Sequence, residues 1–416
     1  MIFSEKKMKK LGIYGGSFSP PHNGHKKSAL SFYDSCALDE LRVMPAGVPP
    51  HKVLEGDATP EDRLNMTRIL FSPDNCGGRN VSVDDYELKK EGRSYTWETL
   101  AHFDAEDVQL FLLVGTDMFL TLDSWMRPEE IFSRAVIVVN RREEDYEESL
   151  FDEKKAYYEN AFGARIMIPA YKPLVVSSSE LRAQLRRGDV VNGYLPMSRT
   201  LDRAVLDYIV SRDLYGYIEG VLSFLREDLK TKLSEARLAH VLSVERETVS
   251  MARLLGLPLR ETFILRKAAL LHDVTHERSP EEQRACFAQF GVKPDEEDFR
   301  SPAVVHQFTG ALVAERVYHL EKEGVDAICC HTTGKPGMTV IEKVLCLADY
   351  IEKTRPYPEC KALRRYFYEK AQAGRVCEAL LDDCMEKYLN TTVAHLRGKG
   401  SYIHPQTLAA SEYYTK

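Results

Sequence analysis

The sequence lacks any long uninterrupted hydrophobic run. Apolar stretches such as residues 110–114 and 135–139 fall far short of the roughly 18 to 20 residues needed to cross a bilayer. The basic start, MIFSEKKMKK, continues into the strand-like LGIYGG, whereas a secretory signal would continue into an apolar region with a cleavage site. We therefore expect neither a signal peptide nor a membrane partner, and the short runs are typical of buried parallel strands.

The sequence also lacks a net positive charge and paired cysteines. The formal net charge of −7 would repel the backbone of a nucleic acid, so no nucleic-acid partner is expected. The nine cysteines are odd in number and form no C-x-x-C pair of the kind that marks zinc or redox sites. Reduced thiols in a cytoplasmic protein are the simplest interpretation.

The pattern of apolar residues changes near residues 216–221. Before this point short apolar runs alternate with amphipathic stretches, which predicts βαβ units and a Rossmann-like α/β domain with a mostly parallel, doubly wound sheet. After it strand-like runs become scarce, and amphipathic segments predict an all-α domain. These segments are residues 233–255, 263–271 and 304–320. At 416 residues two domains are expected, and we place them at 1–218 and 219–416.

A glycine turn with two histidines follows the first predicted strand. Gly15 and Gly16 permit a tight turn whose N–H groups can face a polyphosphate, and a helix N-terminus at the same place favours an anion. His22 and His25 lie three residues apart at the start of that helix, so both imidazoles can face one phosphate. The pattern predicts a site for nucleotidyl transfer, which requires charge neutralisation at the α-phosphate.

This segment resembles the nucleotidyltransferase superfamily with its H-x-G-H signature, and within it the bacterial nicotinate-mononucleotide adenylyltransferases. The resemblance covers about residues 10–216 and rests on several motifs. Besides the histidine turn, these are VPPHK at 48–52, YTWET at 95–99, GTD at 115–117, Trp125, and VSSSELR at 176–182.

The resemblance implies a reaction of ATP, accompanied by Mg²⁺, with nicotinate mononucleotide at catalytic His22 and His25. The residues expected to bind ATP or the second substrate are Gly15, Gly16, Ser17, Phe18, His51, Lys52, Tyr95, Thr96, Gly115, Asp117, Trp125, Ser178, Ser179 and Arg182. From the residues alone, Trp125 is also compatible with a core position, and the serines with a simple helix cap. Another specificity, for nicotinamide mononucleotide or pantetheine phosphate, stays open.

The second half contains histidines and aspartates flanked by apolar residues on several predicted helices. They are His240, His272, Asp273, His306, His331 and Asp349. Buried imidazoles and carboxylates are costly unless they are paired or bind metal. A set without thiolates suits iron, manganese or magnesium, and six ligands fit two metal ions roughly 3.5 to 4 Å apart. We therefore predict a dinuclear metal site that acts on phosphorus.

This pattern resembles the HD-domain phosphohydrolases over about residues 221–400, and the words AICCHTTGKPGM and EKVLCLADYIE resemble the YqeK type. The resemblance implies symmetrical hydrolysis of diadenosine tetraphosphate or related dinucleotide polyphosphates to two ADP. It also implies the six residues as ligands of a dinuclear iron or manganese centre, with Asp273 catalytic. The alternative is a nucleotide-sensing domain without turnover.

The sequence departs from many HD proteins just after the His272-Asp273 pair. A lysine is common there, but this chain has Val274-Thr275-His276, which leaves open whether His276 takes over a phosphate contact. Lys335 and Arg355 are further cationic candidates for such a contact. The oligomeric state also stays open, a homo-oligomer included.

Overall fold

A computed structural model describes residues 8–47, 56–141, 148–170, 172–191, 197, 199–374 and 377–415. The chain forms two compact units, the first from Met1–Leu185 with Leu195–Ile209 and the second from Arg186–Tyr194 with Val210–Lys416. The boundary at 218/219 between two folding domains stays a prediction. Among the described residues, none of the helices combines the length and apolarity that a bilayer crossing demands.

The first unit contains a six-stranded sheet in which every paired neighbour runs parallel. Its strands are β1 Lys9–Gly16, β2 Glu40–Pro45, β3 Val81–Val83, β4 Val108–Gly115, β5 Ala135–Asn140 and β6 Ile166–Met167. Their order across the sheet is β3-β2-β1-β4-β5-β6. This confirms the predicted Rossmann-like α/β class, and the strand order places β1 beside β4 at the point where the winding changes direction.

The strands form where the sequence has short, nearly continuous apolar runs. All six residues of β5 are buried, and β4 buries its last apolar residues before Gly115, because helices pack against this sheet. The helices of this part of the chain are α1 Asn23–Ser35, α2 Pro60–Leu70, α3 Pro73–Cys76, α4 Tyr86–Lys89, α5 Thr96–Phe103, α6 Thr116–Leu120, α7 Pro128–Arg134, α8 Glu148–Phe162, α9 Ser178–Arg187 and α10 Arg203–Arg212.

Among its described residues the second unit has helices and no strands, as predicted. Its helices are α11 Tyr217–Leu229, α12 Glu235–Leu255, α13 Leu259–Leu271, α14 Pro280–Gln289, α15 Pro302–Arg316, α16 Lys322–Ile328, α17 Val340–Ile351, α18 Pro358–Gln372, α19 Glu378–Gly398 and α20 Pro405–Tyr414. Helices α12, α13 and α17 pack against one another around buried Val244, Leu270 and Leu345. This core holds the His/Asp residues of the second half in place.

Candidate functional site

The carboxyl ends of β1 and β4 meet at the centre of the first sheet. β1 ends at Gly16 and β4 at Gly115, and the two strands are neighbours. The sheet continues from β1 to β2 on one side and from β4 to β5 on the other. In open α/β sheets, ligands bind at the carboxyl edge where the strand order reverses. The predicted phosphate turn and the predicted GTD segment therefore reach the same edge.

His22 and His25 come together above this edge. Their rings stack with centroids 3.6 Å apart. The chain after β1 turns into α1 at Asn23, so His22 is the N-cap and His25 lies in the first turn. The sequence-based expectation that both imidazoles share one face of the helix start agrees with this placement.

Each of the two rings also caps the helix. Nδ1 of His22 accepts a hydrogen bond from the backbone N–H of His25 at 3.3 Å, and Nδ1 of His25 accepts one from the backbone N–H of His22 at 3.1 Å. This is the reciprocal geometry of a capping box, built from two histidines. Because both δ nitrogens accept, the proton of each neutral ring lies on Nε2, which is the atom able to donate to a phosphate oxygen.

Gly24 makes room for this arrangement. A Cβ atom at Gly24 would lie 2.9 Å from Nδ1 of His22 and 2.8 Å from Cγ1 of Val176. Real Cβ atoms do not approach so closely, so any larger residue would displace the His22 ring or the segment that leads into α9. From sequence, this glycine is part of the H-x-G-H signature but has no evident role of its own.

Two buried guanidinium groups fix the turn that follows β1. Arg63 on α2 donates to the carbonyl oxygens of Ser17 at 2.9 Å and Ala46 at 2.7 Å. Arg182 on α9 donates to the carbonyl oxygen of Ser19 at 2.8 Å, and Nη2 donates to Oγ of Ser179 at 3.2 Å. Both arginines are buried, which places two positive charges behind the proposed phosphate turn.

Other predicted binding residues of the first unit lie at the starts of α9 and α5 and against the core. Ser178 donates to the carbonyl oxygen of Pro20 at 3.0 Å, and Ser177 rather than Ser178 caps α9. Tyr95 and Thr96 stand at the start of α5. Trp125 packs partly against the core. His51 and Lys52 lie outside the described residues.

In the second unit, the predicted metal ligands converge from five parts of the helical core. His240 lies on α12, His272 and Asp273 directly follow α13, His306 lies on α15, His331 follows α16 and Asp349 lies on α17. Three groups of potential ligands lie close enough to hold a metal ion: His240 with His272 and Asp273, His272 with His331 and Asp349, and Asp273 with His276 and His306. Within each group, the ligand atoms lie within 4.8 Å of one another.

Hydrogen bonds to the outer nitrogens orient the imidazoles inward. His272 donates from Nδ1 to the carbonyl oxygen of Ala269 at 2.7 Å, and His331 donates from Nδ1 to that of Ile328 at 2.8 Å. The donated proton leaves the lone pair of each Nε2 aimed at the cluster. Partners of this kind commonly fix the tautomer of a metal-binding histidine.

The electrostatics of the cluster also favour metal ligands. Burial lowers the pKa of His272 and lowers that of His331 to about 3, so both rings are neutral at physiological pH. Burial alone would raise the pKa values of Asp273 and Asp349, but the hydrogen bond from His306 to the first and the guanidinium group of Arg355 beside the second keep them well below the usual range. Neutral imidazoles and ionised carboxylates are the protonation states that metal binding requires.

His240 differs from the other rings. Burial would lower its pKa, but the carboxylates of Asp349 and Glu352 beside the ring raise it to about 9. The buried Nε2 atoms of His240 and His272 have no hydrogen-bond partner among the described residues, although Oδ1 of Asp349 lies 3.0 Å and 3.8 Å from them. Unpartnered nitrogens beside ionised carboxylates fit a shared cation, so the donor set is suitable for a metal ion.

Of the two further cationic candidates, only one lies at the cluster. Arg355 donates to Oδ1 of Asp349 at 2.6 Å, whereas Lys335 donates to Glu342. Arg237 on α12 donates to Oδ2 of Asp273 at 2.6 Å. The cluster therefore has two guanidinium groups beside its two carboxylates.

Comparisons with known proteins match two separate parts of the chain. Residues 13–184 match the cytidylyltransferase-like family, and residues 237–354 match the HD domain. A protein of Clostridium acetobutylicum named probable nicotinate-nucleotide adenylyltransferase is 36% identical over 210 residues, which are 50% of this chain and 100% of the relative. A protein of the same name from Pseudomonas aeruginosa is 34% identical over 219 residues, which are 50% of this chain and 97% of the relative.

Two solved structures are similar to part of this chain. One is described as a predicted HD superfamily hydrolase involved in NAD metabolism from Clostridium acetobutylicum, with 26% identity over 46% of this chain and 95% of that chain, at a TM-score of 0.41. Another is the Plasmodium falciparum nicotinic acid mononucleotide adenylyltransferase complexed with NaAD, with 20% identity over 50% of this chain and 98% of that chain, also at a TM-score of 0.41.

The sheet with its histidine turn is a nucleotidyltransferase fold of the cytidylyltransferase-like class, joined in one chain to a helical HD domain. Within that class, the chain belongs to the nicotinate-nucleotide adenylyltransferase family, since it covers the whole length of a curated relative at 36% identity.

Proposed function

We propose that the first unit transfers an adenylyl group from ATP to nicotinate mononucleotide, giving nicotinate adenine dinucleotide and pyrophosphate. The stacked pair of His22 and His25 at the carboxyl edge of the sheet carries this proposal. Family membership supports the choice of nicotinate mononucleotide as the acceptor.

The reaction exchanges one bond at phosphorus for another. A phosphate oxygen of nicotinate mononucleotide bonds to the α-phosphorus of ATP, and the bond from that phosphorus to the oxygen shared with the β-phosphate breaks. Nε2–H groups of His22 and His25 donate to the oxygens that gain charge, while the buried cations Arg63 and Arg182 lie behind the turn. The enzyme thus needs no covalent intermediate.

The remaining predicted residues belong to this proposal as binding groups. We assign phosphate contacts to the turn, nucleotide contacts to the GTD segment, and pyridine contacts to the YTWET segment and Trp125. These residues are Gly15, Gly16, Ser17, Phe18, His51, Lys52, Tyr95, Thr96, Gly115, Asp117, Trp125, Ser178, Ser179 and Arg182. Mg²⁺ enters this unit with ATP.

A product assay on the intact chain tests the transferase. With ATP and nicotinate mononucleotide, the wild type should form the dinucleotide. In His25→Ala, the rate of its formation should fall by about a hundredfold or more. His102→Ala is the matched control, because this imidazole stacks on Tyr86 elsewhere in the same unit. Equal or higher rates with nicotinamide mononucleotide or pantetheine phosphate would reject the proposed acceptor.

We further propose that the second unit hydrolyses dinucleotide polyphosphates such as diadenosine tetraphosphate to two ADP. The unpartnered Nε2 atoms of His240 and His272 beside ionised carboxylates carry this proposal. Two metal ions, iron or manganese, would be held by His240, His272, Asp273, His306, His331 and Asp349. When bound, such ions supply Lewis-acid polarisation of a phosphoryl oxygen and activation of a water.

Residues of the cluster also have roles in the proposed reaction. In symmetrical cleavage, the oxygen of water bonds to one of the two central phosphorus atoms. The bond from that phosphorus to the oxygen that joins the two central phosphorus atoms breaks. Arg237 and Arg355 contact the carboxylates of Asp273 and Asp349, and we assign to their guanidinium groups contacts with the phosphates of the substrate. Asp273 lies between the pair His240 and His272 and the pair His306 and His331, so we assign it the central role.

Incubation of the intact chain with diadenosine tetraphosphate and Mn²⁺ or Fe²⁺ tests the hydrolase. ADP should be the product, and Asp273→Ala should abolish its formation without changing dinucleotide synthesis by the first unit. Asp326→Ala is the matched control, because this half-buried aspartate forms its ion pair with Lys322, on the surface of α16, and not with a residue of the cluster. A wild type that leaves diadenosine tetraphosphate intact with either metal would favour a sensing domain.

A further inference from the structure

The carboxylate of Asp273 faces two different groups of imidazoles. Oδ2 lies 3.4 Å from Nε2 of His272 and 3.5 Å from Nε2 of His240. Oδ1 lies 3.2 Å from Nε2 of His306 and 3.9 Å from Nε2 of His331. We call these the Oδ2 side and the Oδ1 side of the cluster. A carboxylate with imidazoles on both sides has the geometry of a bridge between two metal positions.

The six predicted ligands are unequally divided between the two sides. Asp349 joins the Oδ2 side, since its Oδ1 lies 3.0 Å from Nε2 of His240 and 3.8 Å from Nε2 of His272. That side has two imidazoles and an oxygen from each of two aspartates. His331 lies near both sides, since its ligand atom is within 4.8 Å of those of His272 and Asp349 and its Nε2 is 3.1 Å from Nε2 of His306. Even with His331 counted on it, the Oδ1 side has three of the predicted ligands, namely His306, His331 and one oxygen of Asp273, which is one fewer than its neighbour.

His276 lies on the side with fewer ligands. Its ring centroid is 4.6 Å from that of His306, and the ligand atoms of Asp273, His276 and His306 all lie within 4.8 Å of one another. The turn after α13 accounts for this position, because the backbone N–H of His276 donates to the carbonyl oxygen of Asp273 at 2.9 Å. Three residues after Asp273, the chain thus returns an imidazole to the same cluster.

We propose that His276 is a seventh metal ligand, which completes the position on the Oδ1 side together with Asp273, His306 and His331. This inference rests on the metal centre of the proposed hydrolase. It replaces the other possible role of His276, contact with a substrate phosphate. With His276 included, each side has four protein ligands, and the oxygens of Asp273 are shared between the sides.

Titration of the metal-free intact chain with Mn²⁺, followed by calorimetry and by metal analysis after gel filtration, tests the inference without any substrate. The wild type should bind two Mn²⁺ ions per chain. His276→Ala should keep one affinity unchanged and weaken the other by about tenfold or more. His331→Ala should weaken binding of the same ion. His395→Ala, which removes an exposed imidazole on α19, should change neither affinity.

His276→Lys separates the two roles of this position and also serves if the alanine variant does not fold. A lysine can contact a phosphate but is protonated and cannot bind the metal, so binding of the second Mn²⁺ should again be weakened. Unchanged Mn²⁺ affinities in His276→Ala, with a higher KM for diadenosine tetraphosphate that His276→Lys restores, would overturn the inference and leave the hydrolase standing. A wild type that binds no Mn²⁺ would overturn both.

Discussion

The guanidinium group of Arg63 donates a hydrogen bond of 2.9 Å to the carbonyl oxygen of Ser17. The same group donates to the carbonyl oxygens of Ala46 at 2.7 Å and Gly47 at 3.3 Å. One buried side chain on α2 therefore joins the turn after β1 to the segment after β2. Because these carbonyl oxygens are occupied by Arg63, they are held away from the phosphates that the turn is proposed to bind.

We expect Arg63→Lys to weaken ATP binding without unfolding the first unit. A lysine has one compact ammonium group and cannot span Ser17 and Ala46 as the planar fork of arginine does. The KM for ATP should rise at least severalfold while the KM for nicotinate mononucleotide changes less, as measured by initial rates at saturating second substrate. Equal effects on both KM values would mean that Arg63 only maintains the fold. Arg68→Lys, at an exposed position on the same helix, is the control.

Gly24→Ala should reduce transferase activity while the chain stays folded. The added methyl group would lie 2.9 Å from Nδ1 of His22 and 2.8 Å from Cγ1 of Val176, so the His22 ring stacked on His25, or the segment that leads into α9, must shift. We expect kcat to fall by about tenfold or more, since displaced catalytic groups are costly even at about 1 Å. Gly398→Ala tests the effect of the substitution itself, because a methyl group there meets no atom within 4 Å. Unchanged kcat in Gly24→Ala would contradict a role for the precise position of His22.

Glu352 is expected to act on the metal centre through His240. Its fully buried carboxylate lies 3.3 Å from Nδ1 of His240, the nitrogen that faces away from Asp349. Glu352→Gln removes the charge that favours a proton on Nδ1, so the pKa of His240 in the metal-free chain should fall from about 9. Mn²⁺ affinity should fall by about 10- to 100-fold. Nuclear magnetic resonance of the imidazole and Mn²⁺ titration measure the two effects.

Glu247→Gln is the matched control for that variant. Glu247 is likewise buried in the second unit, but its partner is the hydroxyl of Tyr368 at 2.6 Å and not a histidine of the cluster. It should leave both the pKa of His240 and the Mn²⁺ affinity unchanged. If both variants lower Mn²⁺ affinity equally, general loosening of the helical core is the cause.

Thr99→Val should destabilise the first unit more at pH 7.5 than at pH 5. Burial raises the pKa of Glu87 above its usual 4.5, and the hydroxyl of Thr99, which donates at 2.8 Å, opposes that rise by stabilising the carboxylate. Without the hydroxyl the folded pKa rises further, so stability falls as pH increases from 4.5 through that pKa. We expect a loss of about 1.5 to 3 kcal/mol at pH 7.5. Urea unfolding at the two pH values measures this loss of stability. An equal loss at both would contradict a hydrogen bond from Thr99 to the ionised carboxylate of Glu87.

Local rules acting on the sequence account for much of the fold. Nearly continuous apolar runs such as that of β5 predict buried parallel strands, because a strand covered on both faces exposes no polar side. The turn at Gly15 and Gly16 and the two histidines of the helix start are close neighbours in the chain, so their proximity follows from short-range geometry. For the same reason, the His272-Asp273 pair could be identified from sequence.

Only the tertiary structure determines which distant residues complete each site. Arg63 has no sequence signal of its own, and its role appears only when α2 packs so that its guanidinium reaches three carbonyl oxygens of two loops. The two sides of Asp273, and the place of His276 on one of them, depend on how helices far apart in sequence bring their side chains together. Periodicity shows that a helix face is buried, but the partner of that face is fixed by long-range packing.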